Sequence, residues 1–125
     1  MSKTALVAIG GNSLIPSKQS AEVPKQWDLV RETCKHLTDM VTEGWQLVVT
    51  HGNGPQVGYN LLRSDLAADV VYPLPLDLLV AHTQGSIGYM LQQGMQNELR
   101  SRGYKIPVVS LVTQVLVDQN DPAFQ

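Results

Sequence analysis

Apolar and polar residues fall into blocks along this chain, and the period changes from block to block. Thr4 to Ile9 (TALVAI) is a short apolar run that stops at Gly10-Gly11-Asn12, the pattern of a buried strand entering a tight turn. Ser13 to Val23 is polar and broken by proline, which predicts a mobile loop. Pro24 then suits the first turn of a helix. Trp27, Val30, Cys34, Leu37 and Val41 recur every three or four residues, building one apolar face that Gly44 ends at the C′ position. Leu47 to Thr50 reads as a second strand. Pro55 suits a helix N1 position, so Gln56 to Ala68 is expected to be helical, with Val57, Leu61 and Ala68 facing inward.

Pro73 and Pro75 interrupt the pattern, and Asp77 is placed to cap a third helix that runs to Arg102 and ends at Gly103. Ile87, Leu91, Met95 and Leu99 form its stripe, while Gly85 and Gly88 are expected to permit close helix packing. Val108 to Val117 is a third strand-like run, turning at Asp118 to Pro122. The order β-α-β-α-α-β, with nearly unbroken apolar strands, predicts an α/β fold: a parallel sheet covered by helices on both faces. Ligands of such sheets bind beyond the carboxyl ends of the strands. Both glycine clusters, Gly10-Gly11-Asn12 and Gly52-Asn53-Gly54, stand at such ends and are expected to line one crevice.

Composition narrows the function classes. The 125 residues and 43% hydrophobic content suffice for a single domain with a core. Nine basic and eleven acidic residues are mixed along the chain for a net charge of −2, with no basic stripe to bind nucleic acid. No apolar run reaches the ~18 residues of a membrane span. Met1-Ser2-Lys3 leads directly into the first strand with no room for a signal peptide, so a cytoplasmic protein is expected. The single cysteine, Cys34, excludes an intrachain disulfide and lies on an apolar helical stripe, where a buried inert thiol is expected.

The glycine clusters carry the candidate chemistry. A glycine-rich turn at a helix N-terminus presents unpaired backbone N–H groups and the positive end of the helix dipole, and the missing side chains let an oxyanion come close. Asn12 and Asn53 add amide donors. Two ordinary strand–helix turns would show the same residues, but two of them converging on one edge favour a site. No G-x-x-x-x-G-K-[ST] phosphate loop occurs. Gly52 to Gly58 is one residue longer than the dinucleotide fingerprint, and the acidic strand end expected about twenty residues later falls in the proline-broken YPLPLD. Anion capture for phosphoryl transfer uses both loops and is preferred. His51 reads as a structural hydrogen-bonding residue ahead of an acid or base, and His36 as a solvated surface residue. His82, Thr83, Gln84 and Ser86 are polar interruptions that either line the crevice or satisfy helix packing. No metal-ligand spacing of histidines and carboxylates is present.

Four stretches then acquire meaning together: Leu6–Ser13 (LVAIGGNS), Val48–Gly58 (VVTHGNGPQVG), Val80–Gln92 (VAHTQGSIGYMLQ) and Val112–Phe124 (VTQVLVDQNDPAF). In order, and across essentially the whole chain, they resemble carbamate kinases of the amino-acid kinase superfamily. The resemblance implies a parallel-sheet, three-layer α/β/α fold of which residues 1–125 are the N-terminal, carbamate- and phosphate-binding part, without the nucleotide lobe. It implies reversible phosphoryl transfer between ATP, carried with Mg²⁺, and carbamate, giving carbamoyl phosphate and ADP, in arginine catabolism. By position, Gly10, Gly11 and Asn12 would hold phosphate oxygens, and Gly52, Asn53 and Gly54 the carbamate and transferring group; Asn12 and Asn53 would be the catalytic side chains. A homodimer is also implied.

Many acid kinases of the superfamily have a lysine just before the first glycine pair, where this chain has Ala8; carbamate kinases resemble one another in supplying a lysine from a later segment. That segment is expected after Gln125. Of Lys3, Lys18, Lys25, Lys35 and Lys105, only Lys18 is placed to swing toward the phosphates. The 125-residue chain alone is therefore expected to be inactive. Two alternatives stand beside this one: a carbamate-kinase-like paralogue acting on another small carboxylate or carbamate, and a non-catalytic anion-binding or dimerisation module.

Overall fold

Two seven-residue strands, β1 (Lys3–Ile9) and β2 (Trp45–His51), run parallel at the heart of the structure, in register from Lys3 opposite Trp45 to Ile9 opposite His51. The structure is a computed structural model that describes residues 3–10, 14 and 23–124. Parallel neighbours cannot be joined by a tight turn, so the chain must cross over between them. That crossover contains α1 (Val23–Thr42), and the predicted loop of residues 13–23 lies almost wholly outside the described residues. Two further helices follow, α2 (Gly54–Leu66) and α3 (Leu76–Ser101).

The predicted stripes of α1 and α3 form the core. Ile9 and Leu14 join Val30, Cys34 and Leu37 of α1 and Ile87, Leu91 and Met95 of α3 in one buried cluster, with Val7, Leu47 and Val49 of the sheet packed against it. Each such side chain contributes about 1.5–3 kcal/mol of burial free energy. Both helices end as their glycines require: Gly44 and Gly103 have φ of +92° and +84°, a region open to glycine without a Cβ penalty. At the end of α3, Gly103 N–H donates to Arg100 O at 3.0 Å and Tyr104 N–H to Leu99 O at 2.9 Å, a Schellman cap.

Five expectations need correction. The predicted third strand at Val108–Val117 does not form, and among the described residues the sheet has two strands. The segment lies along α3, whose side chains answer its backbone. Gln92 Nε2 donates to Val108 O at 2.8 Å, and Thr113 N–H donates to Gln84 Oε1 at 2.7 Å. Val109, Leu111, Val112, Val115 and Leu116 remain exposed, so the apolar run meets no strand to pair with among the described residues. Among the described residues the sheet is covered on one face only: Ala5, Val7, Leu47 and Val49 are half-buried, while Leu6 and Val48 on the other face are 70% and 53% exposed.

The third correction concerns α2, which begins two residues earlier than expected and buries only Gln56; Leu61 and Ala68, expected inward, are exposed. The fourth is Asp77, which sits inside the first turn of α3, behind an N-cap at Pro75, and therefore does not cap it. The fifth concerns glycine. A Cβ on Gly85 would meet nothing within 4 Å, and one on Gly88 would lie 3.2 Å from Ser110, which is not on a helix. The close approach of α1 and α3 runs through Gly94 instead, where a Cβ would stand 2.8 Å from Cys34 Sγ and 3.3 Å from Val30 Cγ1.

Gly94→Ala is expected to lower stability by about 1–3 kcal/mol, because the added methyl forces two close-packed helices apart. Gly85→Ala should instead be neutral or stabilise by up to about 1 kcal/mol through helix propensity. Urea denaturation of the two variants checks the contrast, and equal shifts would contradict the packing described. Burial, with the charge of Glu98 adding, pushes the Cys34 thiol up from its ordinary value near 9.0 to about 11. The folded protein thus holds this proton more tightly than the unfolded chain. The contribution is complete below pH 9 and is lost as pH rises towards 11, by about 2–3 kcal/mol in all. Stability measured against pH should show this alkaline loss in the wild type, and Cys34→Ala should lack that part of the slope.

Candidate functional site

The parallel register brings the carboxyl ends of both strands to one edge. Ile9 ends β1 and the exposed Gly10 follows it; His51 ends β2, and Gly52 N–H donates to Ile9 O at 2.9 Å, carrying the ladder one step into the loop. Gly10 and Gly52 are therefore brought together, as expected. Gly11 and Asn12 lie outside the described residues, as does Lys18. Lys3 belongs to the opposite end of the strands, over the ring of Trp45 at 5.3 Å.

Helix α2 starts directly from the second loop. Asn53 is its N-cap, and Val57 N–H donates to Asn53 O at 2.9 Å as the first helical bond. The Asn53 side chain does not turn back onto the helix. Its Nδ2 donates instead to Thr83 Oγ1 of α3 at 2.6 Å, and Thr83, fully buried, donates its own proton to Val80 O at 2.6 Å. The first turn of α2 thus keeps backbone N–H groups without a side-chain cap, at the positive end of the helix dipole. Gly54 has no left-handed φ, and a Cβ built on it meets nothing within 4 Å. Among the described residues, neither backbone conformation nor packing accounts for this glycine.

Two features of the site escaped the sequence reading. Asn53 and Gln56 have the spacing of a capping box, in which Gln56 would reach back to the N-cap N–H. In the structure Gln56 is only 9% exposed, and among the described residues neither Nε2 nor Oε1 of its amide has a hydrogen-bond partner. A buried amide left unpaired costs about 1–3 kcal/mol per group. The second feature is Thr83, which the sequence marked only as one polar interruption among several. Its neighbours divide differently: Gln84 binds Thr113, and the exposed His82 lines a groove of about 420 Å³ between α2 and α3, with Asn60, Arg63, Ser64 and Tyr72. Gly10, Gly52 and Gly54 do not line that groove.

His51 is half-buried and its Nδ1 lies 3.2 Å from Gly52 O, a local hydrogen bond in the Nδ1–H tautomer that steadies the turn. His36 is exposed beside Glu32, with Nε2 at 3.6 Å from its carboxylate. Among the described residues, no group of three or more His, Cys, Asp or Glu is placed to hold a metal ion, and no helix is long and apolar enough to cross a membrane.

No family model matches the chain. Single relatives do. The chain is 44% identical over 128 residues to the carbamate kinase of Pyrococcus furiosus, with 100% of this chain and 40% of the relative covered. It is 46% identical over 127 residues to that of Thermococcus kodakarensis, covering 98% of this chain and 40% of the relative. A solved carbamate kinase from Giardia lamblia bound to AMP-PNP superimposes with a TM-score of 0.91 at 38% identity, over 99% of this chain and 44% of that one. The chain thus spans about 40% of the length of the curated relatives it matches. Sequence and backbone agree along the whole chain, and it belongs to the carbamate kinase family, corresponding to the N-terminal part of those kinases.

Proposed function

We propose that this chain supplies the carbamate- and phosphoryl-binding part of a phosphotransferase that interconverts ATP and carbamate with ADP and carbamoyl phosphate. The observation that carries the reading is the strand-end edge, where a helix N-terminus without a side-chain cap, its Gly54 free of described neighbours within 4 Å of a built Cβ, follows the strand whose end lies beside that of β1. On this reading Gly52, Asn53 and Gly54 hold the planar carbamate, and Gly10, Gly11 and Asn12 hold oxygens of the transferring phosphoryl group. Carbamate is already an anion, so the reaction requires no general base. It depends on aligning two anions and on neutralising charge spread over the phosphoryl oxygens, for which backbone N–H donors and a helix dipole are suited.

Mg²⁺ carried with the nucleotide would add to the charge neutralisation that these backbone donors provide. We place the nucleotide site, and the lysine that replaces the one missing at Ala8, beyond residues 1–125, since the relatives are longer by more than half. Catalysis then requires that larger protein, and the 125 residues alone bind the anions without turnover. The homodimer and the place in arginine catabolism are supported by the family resemblance alone.

Inorganic phosphate and carbamoyl phosphate should raise the thermal stability of the chain, by about 2.7 kcal/mol at a hundredfold excess over Kd. Gly54→Val should fold normally, because its Cβ meets no neighbour, yet lose most of this effect. Equal stabilisation of both proteins, at matched ionic strength, would contradict the reading. Gln56→Met should raise the stability of the ligand-free chain by about 1 kcal/mol, since it removes a buried amide without partners.

A further inference from the structure

The hydrogen bond between Asn53 and Thr83 has a polarity, and that polarity bears on which substrate the loop accepts. A hydroxyl has one proton. Thr83 Oγ1 lies 2.6 Å from the carbonyl oxygen of Val80, and two oxygens approach so closely only with that proton between them. Towards Asn53, also at 2.6 Å, Thr83 can therefore only accept. The atom of Asn53 that faces it must be Nδ2, which leaves Oδ1 on the far side of the amide. Thr83 is fully buried on α3, a helix anchored in the core through Ile87 and Leu91, so this orientation is held by the fold. No hydrogen bond to Oδ1 from a described residue accompanies the one made by Nδ2.

We propose that Thr83 is a positioning residue that turns the Asn53 amide so that its oxygen, an acceptor, is presented to the ligand at the N-terminus of α2. This rests on the reading of the loop as a carbamate site and deepens it. Backbone N–H groups around the loop recognise oxyanions but cannot tell one carboxylate from another. An acceptor among them selects a ligand that carries an N–H beside its oxygens. Carbamate and carbamoyl phosphate do so through their amino group; acetate and acetyl phosphate have a methyl group in the same place and would leave Oδ1 unpaired. Sites that hydrogen-bond a substrate N–H reject analogues lacking it because a polar group is then buried alone.

Carbamoyl phosphate and acetyl phosphate differ by NH₂ against CH₃ and form the test pair. Calorimetric titration of the purified chain should show carbamoyl phosphate binding about tenfold more tightly, the worth of one hydrogen bond of about 1.4 kcal/mol. Thr83→Val, which keeps the shape and removes the hydroxyl, should bring the ratio close to one, because the Asn53 amide is then free to turn either atom to the ligand. Thr83→Ser should restore it. A wild-type ratio near one overturns the inference without any variant, so it can fail even where Thr83→Val does not fold; a ratio that survives in Thr83→Val overturns it as well. Equal binding of the two acyl phosphates that still depends on Gly54 leaves the carbamate-site reading standing, whereas the absence of any Gly54-dependent binding removes both.

Discussion

The parallel pairing of β1 with β2 is the constraint on which the rest depends. Because Ile9 stands opposite His51 and Gly52 N–H closes onto Ile9 O, the two glycine turns leave the sheet at one edge. An antiparallel arrangement would place them at opposite ends. Parallel pairing demands a crossover, the crossover contains α1, and α1 buries Val30, Cys34 and Leu37 against α3. Thr83, on that same α3, then reaches Asn53. Sheet register, helix packing and loop chemistry form one chain of dependence.

Much of this was legible in the sequence, and the reasons differ by element. The stripes of α1 and α3 and the glycines that end them are local signals: a period of three to four residues and a required left-handed φ. The run Val108–Val117 carries an equally clear strand composition, yet a strand exists only where another backbone accepts its hydrogen bonds. Gln84, Gln92 and Ser110 meet that need from or toward α3, and no ladder forms. The inward face assigned to α2 failed for a similar reason. Its leucines have helical spacing, but burial is decided by what packs on them, and here Leu61, Leu62 and Leu66 stay exposed. Gly94 was overlooked because a close approach between helices leaves no local mark distinguishing it from Gly85.

At the site, residue type and spacing pointed to Gly10, Gly52, Asn53 and Gly54, since glycines after a strand are punctuation that sequence displays openly. What they could not display is the tertiary wiring. Whether Asn53 caps its own helix or reaches across to α3 depends on where Thr83 stands, thirty residues away in sequence. The unpaired amide of Gln56 is likewise invisible without burial. Both are properties of a folded environment, and the first bears on how the loop would discriminate among ligands.

The central claim is that the two glycine turns act as one anion site. Backbone amide chemical shifts followed during titration with inorganic phosphate test it most directly. The account predicts that Gly10 and Gly52 through Gly54 respond together with a single dissociation constant, while amides at the opposite strand end, around Lys3 and Trp45, stay still. A response confined to one turn, or two turns saturating at unrelated concentrations, would contradict it.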